Sequence, residues 1–194
     1  MEDTLGKLLG SPARVKLLRL FLFNPKEIIP LSIASGRSQV SVAVTRRELP
    51  FYERLGLLKL RRARGSKERA WVLNEDFVYL AALQHLLLNL PVRGQDIVKR
   101  LRNAGTIKLV ILSGLFVDEY DGRVDLLIVG DKVIETKIRT VIRALEAEIG
   151  KELRYVALTT EEFLYRLGIY DKLVRDVIDY PHTVALDRLN VELK

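Results

Sequence analysis

The residues best suited to chemistry in this chain are cations crowded into one short stretch. Arg61, Arg62, Arg64, Lys67 and Arg69 place five positive charges within nine residues, offset only by Glu68. Guanidinium and ammonium groups at that density suit phosphate, whose charge they neutralise and whose oxygens they meet with charge-assisted hydrogen bonds. A second group lies just upstream: Arg37, Gln39, Ser41, Arg46 and Arg47. Arginine can read guanine or hold phosphate, and glutamine and serine can donate or accept at base edges. Other chemistries are poorly supplied. Cysteine is absent, which removes disulfides, thiol nucleophiles and thiolate metal sites. His85 and His182 are the only imidazoles, neither has a second one nearby, and no zinc site is expected; both read as structural or surface residues. Asp118, Glu119 and Asp121 form an acidic group, which reads as a solvated turn between two strands. No cofactor or metal is expected.

The elements that must position the cations follow from the apolar pattern. Ser11 can cap a helix whose first turn holds Pro12 and whose apolar residues run from Val15 to Phe23, stopped by Asn24 and Pro25. A short, poorer helix covers 30–37. Ser41 then caps a second clear pattern in which Thr45, Leu49 and Tyr52 recur at helical spacing. Pro50 cannot donate to the carbonyl of Arg46, so a kink or an end at Leu49 is expected, with a further turn closed by Gly56. Residues 57–64 and 67–74 change to strand character around Gly65 and Ser66, a tight hairpin turn. Trp71 on the returning strand reads as a core residue packing the hairpin against the first helix.

Helix, short helix, helix and basic hairpin is the layout of a winged helix-turn-helix, and it makes double-stranded DNA the expected partner. Leu49, Tyr52, Leu55, Gly56, Leu57 and Leu58 resemble the L-x-x-L-x-x-L-G-L-L passage from reading helix into wing of ArsR-like winged-helix transcriptional regulators. Pro50 and the Gly36-containing second helix depart from that pattern. Charge agrees with the division. Residues 1–75 hold 15 basic and 7 acidic side chains, residues 76–194 hold 17 and 18, so the whole surplus of seven, and one more, lies in the first module. The longest apolar run near the start, 17–23, is broken by Arg19 and is too short to span a bilayer, and Glu2 and Asp3 replace the basic start of a secretory signal. A cytoplasmic protein without membrane partners is expected.

Residues 76–90 form a helix apolar nearly all round, with Phe77, Leu80, Leu83, Leu87 and Leu90 in helical spacing. Such a surface needs covering by the two modules or by a second subunit, so a homodimer is expected. A short basic helix follows at 95–103. From Thr106 strands and helices alternate: strands at 107–112, 124–129, 153–158 and 183–186, helices at 133–149 and 160–178. The expected fold class is α+β in two domains, with a winged helix at 1–75, linker or dimerisation helices at 76–104, and an α/β sandwich at 105–194.

Within the second module, Gly114 and Leu115, followed by Gly122, Arg123, Val124, Asp125, Leu126 and Leu127, resemble the signature of minimal, DNA polymerase beta-like nucleotidyltransferases, G-S-x-A and then S-D-x-D-L-L-V. The resemblance aligns Gly114 with the family glycine and Asp125 with its second carboxylate. Leu115 stands for the family serine, Gly122 for the later serine, and Arg123 for the first carboxylate. The family's third carboxylate would fall near 154–156, where no acid stands. In the active family two carboxylates two residues apart on one strand face hold divalent metal, which one remaining carboxylate cannot do. The resemblance therefore implies a nucleotidyltransferase-like domain without catalysis and without catalytic residues. Arg123 and Asp125 read as an ion pair on one strand face, or, more sharply, Arg123 replaces the metal's charge and lets a cleft of Gly114, Arg123 and Asp125 sense a small phosphate-bearing effector.

A winged helix followed by such a domain resembles a known family of prokaryotic transcriptional regulators, and that resemblance covers residues 5–187. It implies a sequence-specific, dimeric DNA-binding regulator whose second domain dimerises or senses a ligand. Two readings from other classes stay open: an active nucleotidyltransferase acting on protein or RNA, and a toxin-antitoxin-type protein whose apolar helix docks a different chain.

Overall fold

The computed structural model describes residues 4–62, 65, 68–87, 93–119 and 122–191. The fold is α+β with two sheets, and the chain divides into two compact units. The first is residues 1–90 together with 143–151, and the second is 91–142 with 152–194. The segment 76–104 is thus shared out between them.

The first unit begins with α1 (Thr4–Leu8) and α2 (Pro12–Phe23). Ser11 caps α2 as its composition implies, its hydroxyl accepting from the Ala13 N–H at 3.2 Å. After β1 (Ile29–Pro30) come α3 (Leu31–Ser38) and α4 (Val42–Arg54), then β2 (Leu58–Arg62), β3 (Arg69–Leu73) and α5 (Leu80–Leu87). The three strands form an antiparallel sheet in the order β1-β3-β2, in which Trp71 faces Ile29 on one side and Leu60 on the other. Leu17, Leu20, Phe21, Ile29, Leu49, Trp71 and Leu87 are all buried in one core, so Trp71 packs the hairpin onto the helices. Phe77, Leu80 and Leu83 pack on the same core, whereas Val78, Tyr79 and Leu86 are exposed. The apolar pattern is therefore satisfied on one side by the unit's own core; Leu88 and Leu90 lie outside the described residues. Arg19, the charge that interrupts the first apolar run, is buried. Its Nε donates to the Leu87 carbonyl at 2.8 Å and its Nη1 to the Glu148 carbonyl at 3.0 Å, so it satisfies carbonyls at the C-terminal ends of two helices.

Pro50 does not end its helix. α4 runs on to Arg54 and closes in a Schellman arrangement, with Gly56 at φ +80° and the Gly56 and Leu57 N–H groups donating to the Glu53 and Tyr52 carbonyls at 2.9 and 3.0 Å. An interior proline costs about 3 kcal/mol, but Leu49 and Tyr52 on either side are buried, at about 1.5–3 kcal/mol each. Tertiary burial outweighs the local preference.

The second unit contains α6 (Gly94–Leu101), β4 (Thr106–Leu112), a single 3-10 turn (Gly114–Val117), β5 (Leu126–Asp131), the first part of α7 (Glu135–Ile149), β6 (Tyr155–Leu158), α8 (Thr160–Gly168), α9 (Lys172–Ile178) and β7 (Thr183–Asp187). The sheet order is β6-β5-β4-β7; β4 runs antiparallel to β5 and β7, and β5 parallel to β6. Leu126 to Val129 are all buried, so both faces of β5 are covered. Leu109, Ile111, Leu127 and Val129 pack with Phe163, Val174 and Val177 of α8 and α9.

The single helix expected at 160–178 is two. Tyr170 takes φ +56°, and Asp171 caps α9 by accepting from the Leu173 N–H at 3.1 Å. A capping aspartate in mid-pattern is the signal that apolar spacing alone passes over.

Candidate nucleic-acid interface and the cleft beside Gly114

α3 and α4 meet through Gln39, Val40 and Ser41. Gln39 is left-handed at φ +51°, its N–H and that of Val40 donate to the Gly36 and Ser35 carbonyls, and the buried Ser35 hydroxyl donates to the Val40 carbonyl at 2.6 Å. Ser41 then caps α4 through the Val44 N–H at 3.4 Å. The turn between the two helices is closed by its own hydrogen bonds.

α4 is divided by its period. Thr45, Glu48, Leu49 and Tyr52 face inward and are buried; Ser41, Arg46 and Arg47 are exposed. Glu48, only 3% exposed at its side chain, is held by Arg14 Nε at 2.9 Å on one oxygen and by Arg47 Nη2 at 3.1 Å on the other. Arg47 is thus an exposed cation whose guanidinium is tied on one side to Glu48. No carboxylate lies within ion-pair distance of Arg46 among the described residues. Burial, and then the neighbouring Glu48 carboxylate, push the Tyr52 phenol above its ordinary value.

On the hairpin Arg61 and Arg62 are exposed, and Arg64 and Lys67 lie outside the described residues. Arg69 is engaged within the unit: its guanidinium sits 5.2 Å from the Trp71 ring centroid and 3.4 Å from Glu53, which also accepts from Trp71 Nε1 at 2.9 Å. Arg37 is engaged as well, by both oxygens of Glu27 at 2.8 and 2.7 Å and by Asn24 at 3.3 Å. Glu68 accepts from the Ser32 N–H and hydroxyl at 2.8 and 3.1 Å, so the lone acid of the basic stretch serves the first turn of α3. The structure therefore leaves Arg46 and Arg47 on the outward side of α4 with Ser41 exposed at its N-cap, leaves Arg61 and Arg62 exposed on the hairpin, ties Arg47 to Glu48, and spends Arg37 and Arg69 on internal contacts. Arg14, Glu48 and Glu53 were not singled out by their types; Glu48 stands one helical step from Thr45 and Tyr52, and that apolar register is the signal that marks it.

In the second unit the expected Arg123–Asp125 pair does not form. β5 starts at Leu126, so both residues precede the strand and do not share a strand face. Asp125 is 1% exposed and accepts from the Leu115 N–H at 2.9 Å and from Arg154, whose Nη2 lies 2.9 Å away. Arg123 instead faces Asp176 of α9, at 3.3 Å. Arg154, in the segment just before β6 and 29 residues on from Asp125, is the partner that local spacing could not supply.

Gly114 has φ +51°, and a Cβ there would collide with Asp125 Oδ1 and the Val124 carbonyl, so only glycine fits. Beside it lies a cleft of about 400 Å³ lined by Ser113, Gly114, Glu119, Arg123, Lys172, Asp176 and Tyr180. Asp125 does not line it. Among the described residues no group of three or more His, Asp or Glu side chains is arranged to hold a metal ion, and no helix is long and apolar enough to cross a membrane. Asp118 and Glu119 are exposed, as a solvated turn requires; Asp121 lies outside the described residues.

In comparisons with family models, with curated proteins and with solved structures, nothing matches the chain.

Proposed function

We propose that the chain is a dimeric, sequence-specific DNA-binding transcriptional regulator, in which the first unit is a winged helix-turn-helix and the second a nucleotidyltransferase-like domain that does no catalysis. The observation that carries this reading is the division of α4: Thr45, Leu49 and Tyr52 bind the helix to the core while Arg46 and Arg47 present its outward side to solvent, with Ser41 exposed at the N-cap. α3 would cross the backbone, α4 enter the major groove, and Arg61 and Arg62 of the β2–β3 wing meet flanking phosphates. Two copies would place their reading helices about 34 Å apart, one duplex turn, so a palindromic operator is expected.

The non-catalytic reading of the second unit is supported by Asp125, whose two oxygens are taken by four donors from Arg154 and Leu115. A carboxylate so saturated has no lone pairs to offer a metal. The cleft beside Gly114 falls in the size range of small-ligand sites, and Arg123 and Lys172 on its wall suit a phosphate-bearing effector.

The test is selection of bound duplexes from a random pool, followed by titration of the enriched sequence at several salt concentrations. Arg46→Ala and Arg47→Ala should each cost about 1–3 kcal/mol if they read bases. Joint neutralisation of Arg61 and Arg62 should instead weaken all sequences alike and flatten the salt slope by about two. Absence of duplex binding at low salt, or affinity unmoved by all these changes, overturns the reading. Incorporation of labelled nucleotide that vanishes in Asp125→Ala would establish the enzyme in its place.

A further inference from the structure

The cations of the second unit are not spread evenly, although its total is near neutral. Residues 93–108 hold Arg93, Lys99, Arg100, Arg102 and Lys108 against Asp96 alone. Lys99 lies 4.0 Å from Asp96 and Lys108 2.7 Å from Asp131, so those charges are answered within the unit. Arg102, just past α6, and Arg188, just past β7, have no carboxylate within ion-pair distance among the described residues. Both line one hollow of about 140 Å³ together with Val98, Gly105, Thr106, Ile107 and Leu186. The Arg188 N–H donates to the Lys108 carbonyl at 2.8 Å, which fixes the root of that side chain on the edge of β4.

We propose that this hollow is a phosphoryl-binding site, to which Arg102 and Arg188 contribute from two different elements of the chain. Its volume is below the roughly 300 Å³ at which drug-sized ligands begin, so a whole nucleotide does not fit and a single tetrahedral anion does. A carboxylate offers its oxygens in one plane, whereas a phosphoryl group offers them tetrahedrally, so two forks arriving from different elements can each meet a separate pair of oxygens. The site is separate from the cleft beside Gly114. Thr106 opens β4 and Gly114 follows its end, so the seven residues of the strand put roughly 20 Å between them. The phosphoryl group belongs either to free phosphate or to the backbone of bound DNA; only the second source rests on the DNA-binding reading above.

The experiment is calorimetric titration of the full chain with inorganic phosphate, against sodium chloride at matched ionic strength. The wild type should give saturable heat. Arg102→Gln/Arg188→Gln should bind phosphate at least about tenfold more weakly, the loss of about 1.4 kcal/mol or more expected when charge-assisted bonds are removed. Arg123→Gln, in the other cleft, should bind phosphate as the wild type does. Arg188→Lys keeps the charge and removes the fork, so it should weaken binding even if the double variant does not fold. No saturable phosphate binding by the wild type, or equal binding by the wild type and the Arg102 and Arg188 variants, overturns the proposal. The source is read on duplex DNA: a salt slope shallower by about one in the double variant identifies backbone phosphate, and an unchanged slope identifies the free anion. Failure to bind DNA at all would sink the regulator reading while leaving the phosphate titration a valid test.

Discussion

Arg154 holds Asp125 at three points: its backbone N–H and Nε donate to one carboxylate oxygen at 2.8 and 3.0 Å, and its Nη2 donates to the other at 2.9 Å. The carboxylate is buried, but the Arg154 side chain is 44% exposed. Removing the guanidinium leaves a buried charge with two backbone donors, so Arg154→Ala should cost about 2–4 kcal/mol. Arg123, 66% exposed and facing Asp176, makes a surface pair, and Arg123→Ala should cost less than about 1 kcal/mol. Urea unfolding of the two variants separates them; equal losses would mean that Asp125 does not depend on Arg154.

The Tyr52 hydroxyl is buried without a hydrogen-bond partner among the described residues. Tyr52→Phe removes an unsatisfied polar atom and keeps the ring, so stability at neutral pH should be unchanged or raised by up to about 1 kcal/mol. Burial lifts the folded phenol's pKa above its ordinary 10.0. In the unfolded chain the phenol ionises from that value, so the neutral form's contribution is full below pH 10 and is lost as pH rises above it. Tyr52→Phe should flatten this alkaline decline, and an unchanged slope between neutral pH and values above pH 10 would contradict it.

Gln39 turns the chain between α3 and α4 with φ +51°, a region that costs side-chain-bearing residues about 1–2 kcal/mol. Gln39→Gly should therefore raise stability by about 0.5–1 kcal/mol after the extra freedom of the unfolded chain is subtracted, whereas Gln39→Ala should not. Thermal unfolding followed by the fluorescence of Trp71, the one tryptophan in the sequence, reads this unit directly. If the chain binds duplex DNA as proposed and the glycine variant binds it more weakly, Gln39 touches DNA in addition to shaping the turn.

The Lys108 ammonium, and after it Thr160, hold the Asp131 carboxyl below its ordinary 3.8. A depressed folded pKa stabilises the fold above the ordinary value, and the contribution is lost as pH falls through the lower folded one. Lys108→Gln should bring the carboxyl back up towards 3.8, seen by carbon NMR titration of Asp131, and should make the acid limb less steep. A carboxyl that titrates at the same pH in both proteins would show that Lys108 is not the cause.

Much of the local architecture can be read from residue order. Ser11 before Pro12, Ser41 before an apolar repeat, and Gly56 after Leu55 mark helix ends through hydrogen bonds made within a few residues, and all three caps are present. The inward register of Thr45, Leu49 and Tyr52 follows from periodicity, and with it the outward one of Arg46 and Arg47. Two helix limits differ from that reading: α4 does not end at Leu49 but passes through Pro50, with Leu49 and Tyr52 buried by other elements, and Asp171 divides the last long helical pattern by a local cap that apolar spacing alone passes over.

The chain's order alone determined that a basic, capped helical segment with a charged hairpin precedes a strand-and-helix module, because period, caps and turn residues act over a few neighbours. Only the tertiary structure decided which charges remain available. Arg37 and Arg69 are consumed by Glu27 and Glu53, Glu68 is drawn to Ser32, and Asp125 is taken by Arg154 while Arg123 turns to Asp176. Ion pairs and the hydrogen bonds of charged groups are chosen by proximity in space, between residues 10 to 53 positions apart in these cases, and composition counts a charge without knowing what stands opposite it.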